Sequence, residues 1–315
     1  MNKYSDDQVH LAARLYYVDG LGQAEVARVV KVSQAKVSRL LAQAKEKGIV
    51  RITVADYDPR HRELEERLLA RFPLRHAVVI KTSLSPEEAR RLVARFAAPL
   101  LETLIPRGSV LAMGGGHSLH ALVSALPVLE RGVTAVQAMG GVDSMPLPYD
   151  SHKLSQTIAE KWGGKFLMFN APALLPDKRT RDTFLSLEQI RTVYEKLATA
   201  DVALIGIGTP RQSVFVERNC FGQEGLAQIR RQGAVGEICG RYFTAGGREC
   251  ETGFRDRLIG IGLETLRAIP EVIAVTSGED RAQATAAAIR GGMVKSVILD
   301  ESGAAALLQG AAESD

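Results

Sequence analysis

A chain of 315 residues with 46% apolar and 24% charged residues has the composition of an ordinary globular protein, which excludes a disordered one. The net charge is only +4, and the three cysteines, Cys220, Cys239 and Cys250, form an odd, scattered set without metal-ligand spacing. The N-terminus is polar and no stretch approaches about 18 uninterrupted apolar residues, so a cytoplasmic protein with reduced thiols is expected.

The first predicted element is a helix from Asp6 to Asp19, with Val9, Leu11, Ala12, Leu15 and Tyr16 apolar at helical spacing. From Gly22 to Val54 the pattern is helix, tight turn, helix and alternating strand, the order of a helix-turn-helix followed by a wing. Val26, Ala27, Val29 and Val30 give the first of these helices an inner stripe; Val37, Leu40, Leu41 and Ala44 give the second. Val32 plugs the turn and the Ser33 hydroxyl caps the helix that begins at Gln34. Where such turns favour glycine the chain carries Lys31, which is required to take a left-handed conformation or to shift the turn. The outer face of the second helix carries Gln34, Ala35, Lys36, Ser38, Arg39 and Gln43, able to hydrogen-bond to base edges or slip past them in a major groove.

Charge follows the same division. Gly22 to Val54 holds seven basic residues against two acidic ones, a balance of +5, so the rest of the chain sums to about −1. The cationic surface is concentrated where phosphates would be met. Gly48 is expected to end the helix, and Ile49 to Val54 alternates as a strand.

Asp56-Tyr57-Asp58-Pro59 then breaks regular structure, and Arg60 to Phe72 is a charged helix with Leu64, Leu68 and Leu69 on one side. It is the natural linker, and its narrow stripe suits either a partner subunit or its own domain. The expected organisation is a helix-turn-helix domain over 1–56, a linker over 57–73 and a large domain over 74–315.

In that last part short β-branched runs alternate with helical segments. The strands are Ala77 to Ile80, Val110 to Met113, Val133 to Met139, Phe166 to Phe169, Val202 to Ile207, Val272 to Thr276 and Val297 to Leu299. The helices are Pro86 to Leu104, Ser118 to Leu126, Ser151 to Trp162, Leu187 to Thr199, Gly225 to Gln232, Leu263 to Ile269, Arg281 to Arg290 and Gly303 to Gln309. Strict alternation predicts an α/β fold with a doubly wound, mostly parallel sheet, whose ligands lie beyond the C-terminal strand ends.

Several of those ends are rich in glycine: Gly114-Gly115-Gly116-His117-Ser118, Gly140-Gly141, Asn170-Ala171-Pro172, and Gly206-Ile207-Gly208. Glycines there let backbone N–H groups approach an anion, so a phosphate or polyol cradle is expected; tight βα turns are the rival for each taken singly. The chain has neither G-x-x-x-x-G-K-[ST] nor a complete G-x-G-x-x-G, so nothing supports a nucleotide. His117 and His120 lack a third ligand nearby, and no metal or cofactor is expected.

The stretch from Gly233 through Glu237 and Gly240 to Phe243, then Leu258-Ile-Gly-Ile, Gly278-Glu-Asp-Arg281, Arg290-Gly-Gly-Met-Val and Leu299-Asp-Glu301, stands behind Tyr16-Tyr17-Val-Asp-Gly20-Leu and Lys36-Val-Ser-Arg-Leu-Leu41. In that order they resemble the SorC family of sugar-responsive bacterial transcription regulators over nearly the whole chain. The resemblance implies a DNA-binding head, an effector domain similar to sugar-phosphate isomerases and deaminases, a phosphorylated sugar or polyol as effector, and a homo-oligomer, dimer or tetramer. It also implies that Gly114 to Ser118 holds the phosphate, that Gly140, Gly141 and Asn170 line the pocket, and that Glu237 binds sugar hydroxyls. Glu237 stands where the family often has Asp, and Arg281 where it often has Lys, a planar fork suited to bidentate anion contact.

A regulator of double-stranded operator DNA is therefore the expected function, with no enzyme activity. The alternatives are a sugar-phosphate enzyme using Asp143, Asp150, His152 or Glu237, and an oligomeric scaffold without DNA affinity.

Overall fold

The computed structural model, which describes residues 5–52, 57–82 and 85–312, begins with three helices: α1 Asp6–Tyr17, α2 Gln23–Val30 and α3 Gln34–Glu46. They close on Val9, Ala12, Val26, Ala27, Val37, Leu40, Leu41 and Ala44, all buried. Ala27 is small and buried between α2 and α3, which lets the helices approach. Lys31 takes φ 55, ψ 50, the left-handed conformation that the missing glycine demands. The Ser33 hydroxyl accepts from the Lys36 N–H at 3.2 Å, capping α3.

Two expectations for this region fail. Val29 is 54% exposed, because Val26 and Ala27, with Val30 partly buried beside them, are the residues of α2 that turn inward. Residues 49–52 are bends and open chain, not the start of a wing strand, and Thr53 and Val54 lie outside the described residues. Ile49 and Val50 lean back on the three-helix core, and the Val50 N–H donates to the Ala44 carbonyl at 3.1 Å. A strand also needs a partner ladder, and none stands among the described residues of this unit.

The chain divides into two compact units, Met1–Tyr57 and Asp58–Asp315. The second contains the strands β1 His76–Ile80, β2 Val110–Met113, β3 Thr134–Gln137, β4 Lys165–Leu167, β5 Val202–Gly206, β6 Ala234–Ile238, β7 Arg241–Thr244, β8 Glu271–Val275 and β9 Ser296–Asp300. Its helices are α4 Arg62–Arg71, α5 Pro86–Leu104, α6 His117–Ala125, α7 Ser151–Lys161, α8 Lys178–Ser186, α9 Glu188–Ala198, α10 Val214–Glu217, α11 Gly222–Arg231, α12 Leu263–Ala268, α13 Ala282–Arg290 and α14 Glu301–Ala312. Seven strands form one sheet in the order β1-β9-β8-β5-β2-β3-β4, every pairing parallel. Its strands read as apolar runs because helices cover both faces: one core gathers Val79, Ile205 and Leu299, the other Val78, Leu204 and Ile298. The sheet is doubly wound, as expected.

The helix foreseen as a linker is part of this second unit. Leu64 and Leu68 are buried in its core. Between them Glu65, 5% exposed, receives Arg60 through Nε at 2.7 Å and Nη2 at 2.8 Å and the Val79 N–H at 3.0 Å. Paired carboxylate and guanidinium satisfy each other where either alone would be costly. The segment before α4 is held against β1, with Arg60 bridged to Ile80 and the His61 N–H donating to the Val79 carbonyl at 2.8 Å.

Candidate functional site

The strand order reverses at β2 and β5. After β2 the chain winds outward through β3 and β4; β5 returns to the other side of β2 and is followed by β8 and β9. Where a doubly wound sheet reverses, the loops leave on opposite faces and a crevice opens at the C-terminal strand ends. Here those ends are the two glycine runs. The Gly114 N–H donates to the Leu204 carbonyl at 2.9 Å, and a Cβ on Gly206 would lie 2.9 Å from the Gly115 carbonyl oxygen. Gly116, at φ 124, opens α6 without a side-chain cap, so the first N–H groups of that helix lie at the crevice with no partner within the helix. The resulting cleft measures about 680 Å³ with its open mouth.

The carboxyl group of Glu237 reaches the cleft from a hairpin. Strands β6 and β7 pair antiparallel around Cys239 at φ 51 and Gly240 at φ 84, the two left-handed residues of a tight two-residue turn. Glu237 and Gly208 exchange backbone hydrogen bonds of 2.9 Å, which joins the hairpin to the end of β5. A Cβ on Gly208 would stand 2.5 Å from Glu237 Oε2 and 2.8 Å from Ser213 Cβ, so any larger residue would displace the Glu237 carboxyl or the Ser213 turn. Glu237 is 6% exposed, and burial pushes its carboxyl up to about 7, offset only in part by the Gly240 N–H that donates to Oε1.

Arg281 enters from the turn after β8. Its Nη1 bonds Asp280 at 3.0 Å and the Ser277 carbonyl at 3.2 Å, and Nη2 bonds Gln212 at 3.1 Å. His117 faces Glu217 at 3.5 Å and packs on Tyr149 with ring centroids 4.0 Å apart. Gly115, Gly116, His117, Ser118, Gly206, Gly208, Glu237 and Arg281 thus share one cleft. Gly140 and Gly141 line an adjoining cavity with Asp143, Asp150 and His152, and Met139 lines both. Gly114 and Asn170 are not brought there. Gly114 is buried, and a Cβ on it would lie 3.3 Å from the Ile205 Cα, so its lack of a side chain serves strand packing. Asn170 is exposed at a bend after β4, between Phe169 and Ala171 of the adjoining cavity.

Arg90 on α5 and Gln212, Ser213 and Glu217 near α10 also line the cleft, and none was singled out from the sequence. The candidate acids Asp143 and Asp150 are committed elsewhere: Arg218 lies 3.3 Å from the first and 2.9 Å from the second. Among the described residues no group of three His, Cys, Asp or Glu side chains could hold a metal, and no helix is long and apolar enough to cross a membrane.

In the first unit the outward face of α3 presents Gln34, Ala35, Ser38 and Arg39 exposed, with Lys36 and Gln43 partly so. Gln34, Ala35, Ser38 and Arg39 are held off the core by the buried Val37, Leu40, Leu41 and Ala44 one helical face away, whereas Gln43 flanks that face with its Oε1 buried.

A helix-turn-helix unit joined to a doubly wound domain with a switch-point cleft is the build of a ligand-responsive transcription regulator. Residues 59–309 match the family model Sugar-bind, described as "Putative sugar-binding domain". The chain is 29% identical over 301 residues to the deoxyribonucleoside regulator of Bacillus subtilis, covering 94% of this chain and 96% of that protein. It is 27% identical over 303 residues to the sorbitol operon regulator of Klebsiella pneumoniae, again covering 94% and 96%. The crystal structure of full-length SorC from Klebsiella pneumoniae superposes with a TM-score of 0.78 at 26% identity, over 97% of this chain and all of that one. The chain belongs to the SorC family of sugar-responsive transcription regulators.

Proposed function

We propose that the cleft between β2 and β5 binds a small phosphorylated sugar or polyol, and that this binding relieves repression by a head that grips operator DNA through α3. The observation that carries the reading is the convergence, in one cleft, of the uncapped N-terminus of α6, the Arg281 guanidinium and the buried Glu237 carboxyl. The first two attract an anion and the third suits hydroxyl groups. Relatives named for deoxyribonucleosides and sorbitol support a carbohydrate effector. The N-terminal residues of α3 are placed for base edges, with Lys36 and Arg39 for phosphates or guanine. One such helix reads few base pairs, which favours a homodimer or tetramer on repeated half-sites.

Binding without turnover is the favoured mode, since Asp143 and Asp150 are held in ion pairs with Arg218. A carboxyl near neutrality in a cleft is nonetheless what an acid–base catalyst needs, so Glu237 keeps the enzyme reading testable. The experiment is a panel of free and phosphorylated sugars and polyols read by melting temperature, product formation and release of a genomic operator fragment. A phosphorylated member at about 100 times its Kd should stabilise the second unit by about 2.7 kcal/mol and release the DNA, with no product. Turnover would transfer the protein to the enzyme class, and no response to any member would remove the cleft as effector site. Operator affinity should also fall steeply as salt rises, and a flat salt dependence would refute the DNA-binding face.

A further inference from the structure

We infer that Arg90, on the second turn of α5, is the opposing arm of an anion clamp with Arg281 and fixes the direction in which the effector lies. The inference rests on the reading of the cleft as a site for a phosphorylated carbohydrate.

Arg90 and Arg281 line the same cleft from different elements. Their surroundings differ. Arg281 is tied by Asp280, Gln212 and the Ser277 carbonyl, whereas Arg90 has no carboxylate within ion-pair distance and no hydrogen bond among the described residues. Its Nε is buried without a partner. The one acid that helical spacing offers it, Glu87, is bonded at 2.5 Å by Arg91 instead. A guanidinium placed in a cleft beside a second guanidinium, with a buried donor unmet, is unfavourable unless an anion answers both. Burial first, and then the Arg281 charge, pull the Arg90 cation below the usual arginine range, more than the more distant Glu87, Asp280 and Glu217 carboxylates make up. A solvated surface arginine would show neither the buried Nε nor the crowding.

Arg90 and His117 also line the broad groove between α5 and α6 that opens to solvent, so Arg90 stands at the mouth of the cleft. Glu237 stands at its buried end. The clamp therefore holds the phosphate of the effector at the α5–α6 mouth, against Arg90, Arg281 and the α6 N-terminus, and points the polyol inward to Glu237. The planar fork of Arg90 contacts two anion oxygens at once, which a lysine cannot reproduce.

The test titrates the full chain with inorganic phosphate and, separately, with sulfate, comparing wild type with Arg90→Gln, Arg90→Lys and Arg281→Gln. Arg90→Gln should weaken both anions about tenfold or more, Arg90→Lys should recover only part of that loss, and the melting temperature without anion should not fall. If Arg90→Gln binds both anions as wild type while Arg281→Gln loses them, Arg90 is a solvated surface cation and the inference is overturned. If neither substitution changes binding, or the wild type binds neither anion, the anion-site reading of the cleft fails with it. A lower melting temperature for Arg90→Gln without anion, together with unchanged anion affinity, would assign Arg90 a packing role and overturn the clamp.

Discussion

Leu40→Ala is expected to unfold the N-terminal unit and abolish operator binding, while the second unit keeps its melting transition and its effector response. Leu40 is 0% exposed and stands among the largest fully buried side chains. Replacing such a leucine by alanine costs about 2–5 kcal/mol. A unit of this size has only about 3–8 kcal/mol to lose at about 0.05–0.15 kcal/mol per residue, so one cavity consumes most of its stability. Calorimetry resolving two transitions, paired with an operator-binding assay, reads both effects. Arg39→Ala is the control on the same helix: Arg39 is exposed, so the fold should stay intact and operator affinity should fall by about 1–3 kcal/mol. Wild-type operator affinity in the leucine variant would mean that the three-helix core does not present the DNA-binding face.

The second large effect concerns Glu237. Burial raises its carboxyl from 4.5 to about 7. Below pH 4.5 the group is protonated in the folded and the unfolded chain alike, and this contribution to stability is fully present. Between 4.5 and 7 the folded protein keeps a proton that the unfolded chain gives up, so stability declines as pH rises. Above 7 both are ionised and the folded state carries the whole cost, about 3 kcal/mol for such a shift. From pH 5 to pH 8 this one side chain should therefore remove about 2–3 kcal/mol from the second unit. Glu237→Gln keeps the shape and the acceptor for the Gly240 N–H without the charge, and the decline attributable to this residue should vanish in melting curves across that range. Identical pH profiles for the two proteins would show that the carboxyl is better solvated than its burial indicates. Glu237→Ala should in addition abolish the effector response with operator binding retained.

How far these features could be read from the chain alone depends on the range of the forces involved. Lys31 in a left-handed turn, Ser33 as a cap and the inner stripe of α3 are local matters, and they stand in the sequence. The seven parallel strands were visible because burial on both faces leaves short apolar runs between turn residues. The hairpin of β6 and β7 was missed: Gly236 and Glu237 interrupt its apolar pattern, and the Cys239-Gly240 turn lies outside the common Asn-Gly type. Helices α8 and α10 were missed as well, the one with no buried residue and the other only four residues long. Ile49 to Ile52 alternate like a strand, but Ile49 and Val50 pack on the helices while Ile52 stays exposed, a tertiary preference that periodicity cannot register.

The cleft shows the same division. Gly115, Gly116, Gly206 and Gly208 announced themselves by position at strand ends. Gly114 looked alike in sequence, yet its neighbour in space is a strand backbone. Arg90 sits among Arg91 and Arg95 on a charged helix, and only the folded chain separates the arginine that enters the cleft from those that face water.

The segment that joins the two units has a further consequence. Strand β1 ends the parallel sheet with one flank paired to β9, and the other flank is met by residues 59–61, through Arg60 on Ile80 and the bonds of His61 and Lys81, and by Glu65, which accepts the Val79 N–H. A fragment cut at Asp58 keeps that rim covered. One cut at Arg62 would bare the Val79 carbonyl and the Ile80 end of β1 and remove Arg60 from Glu65, which would keep Arg62 at 3.6 Å, and so would open a template for stacking one sheet onto another. Four residues at the start of the fragment would then separate a soluble product from an aggregating one.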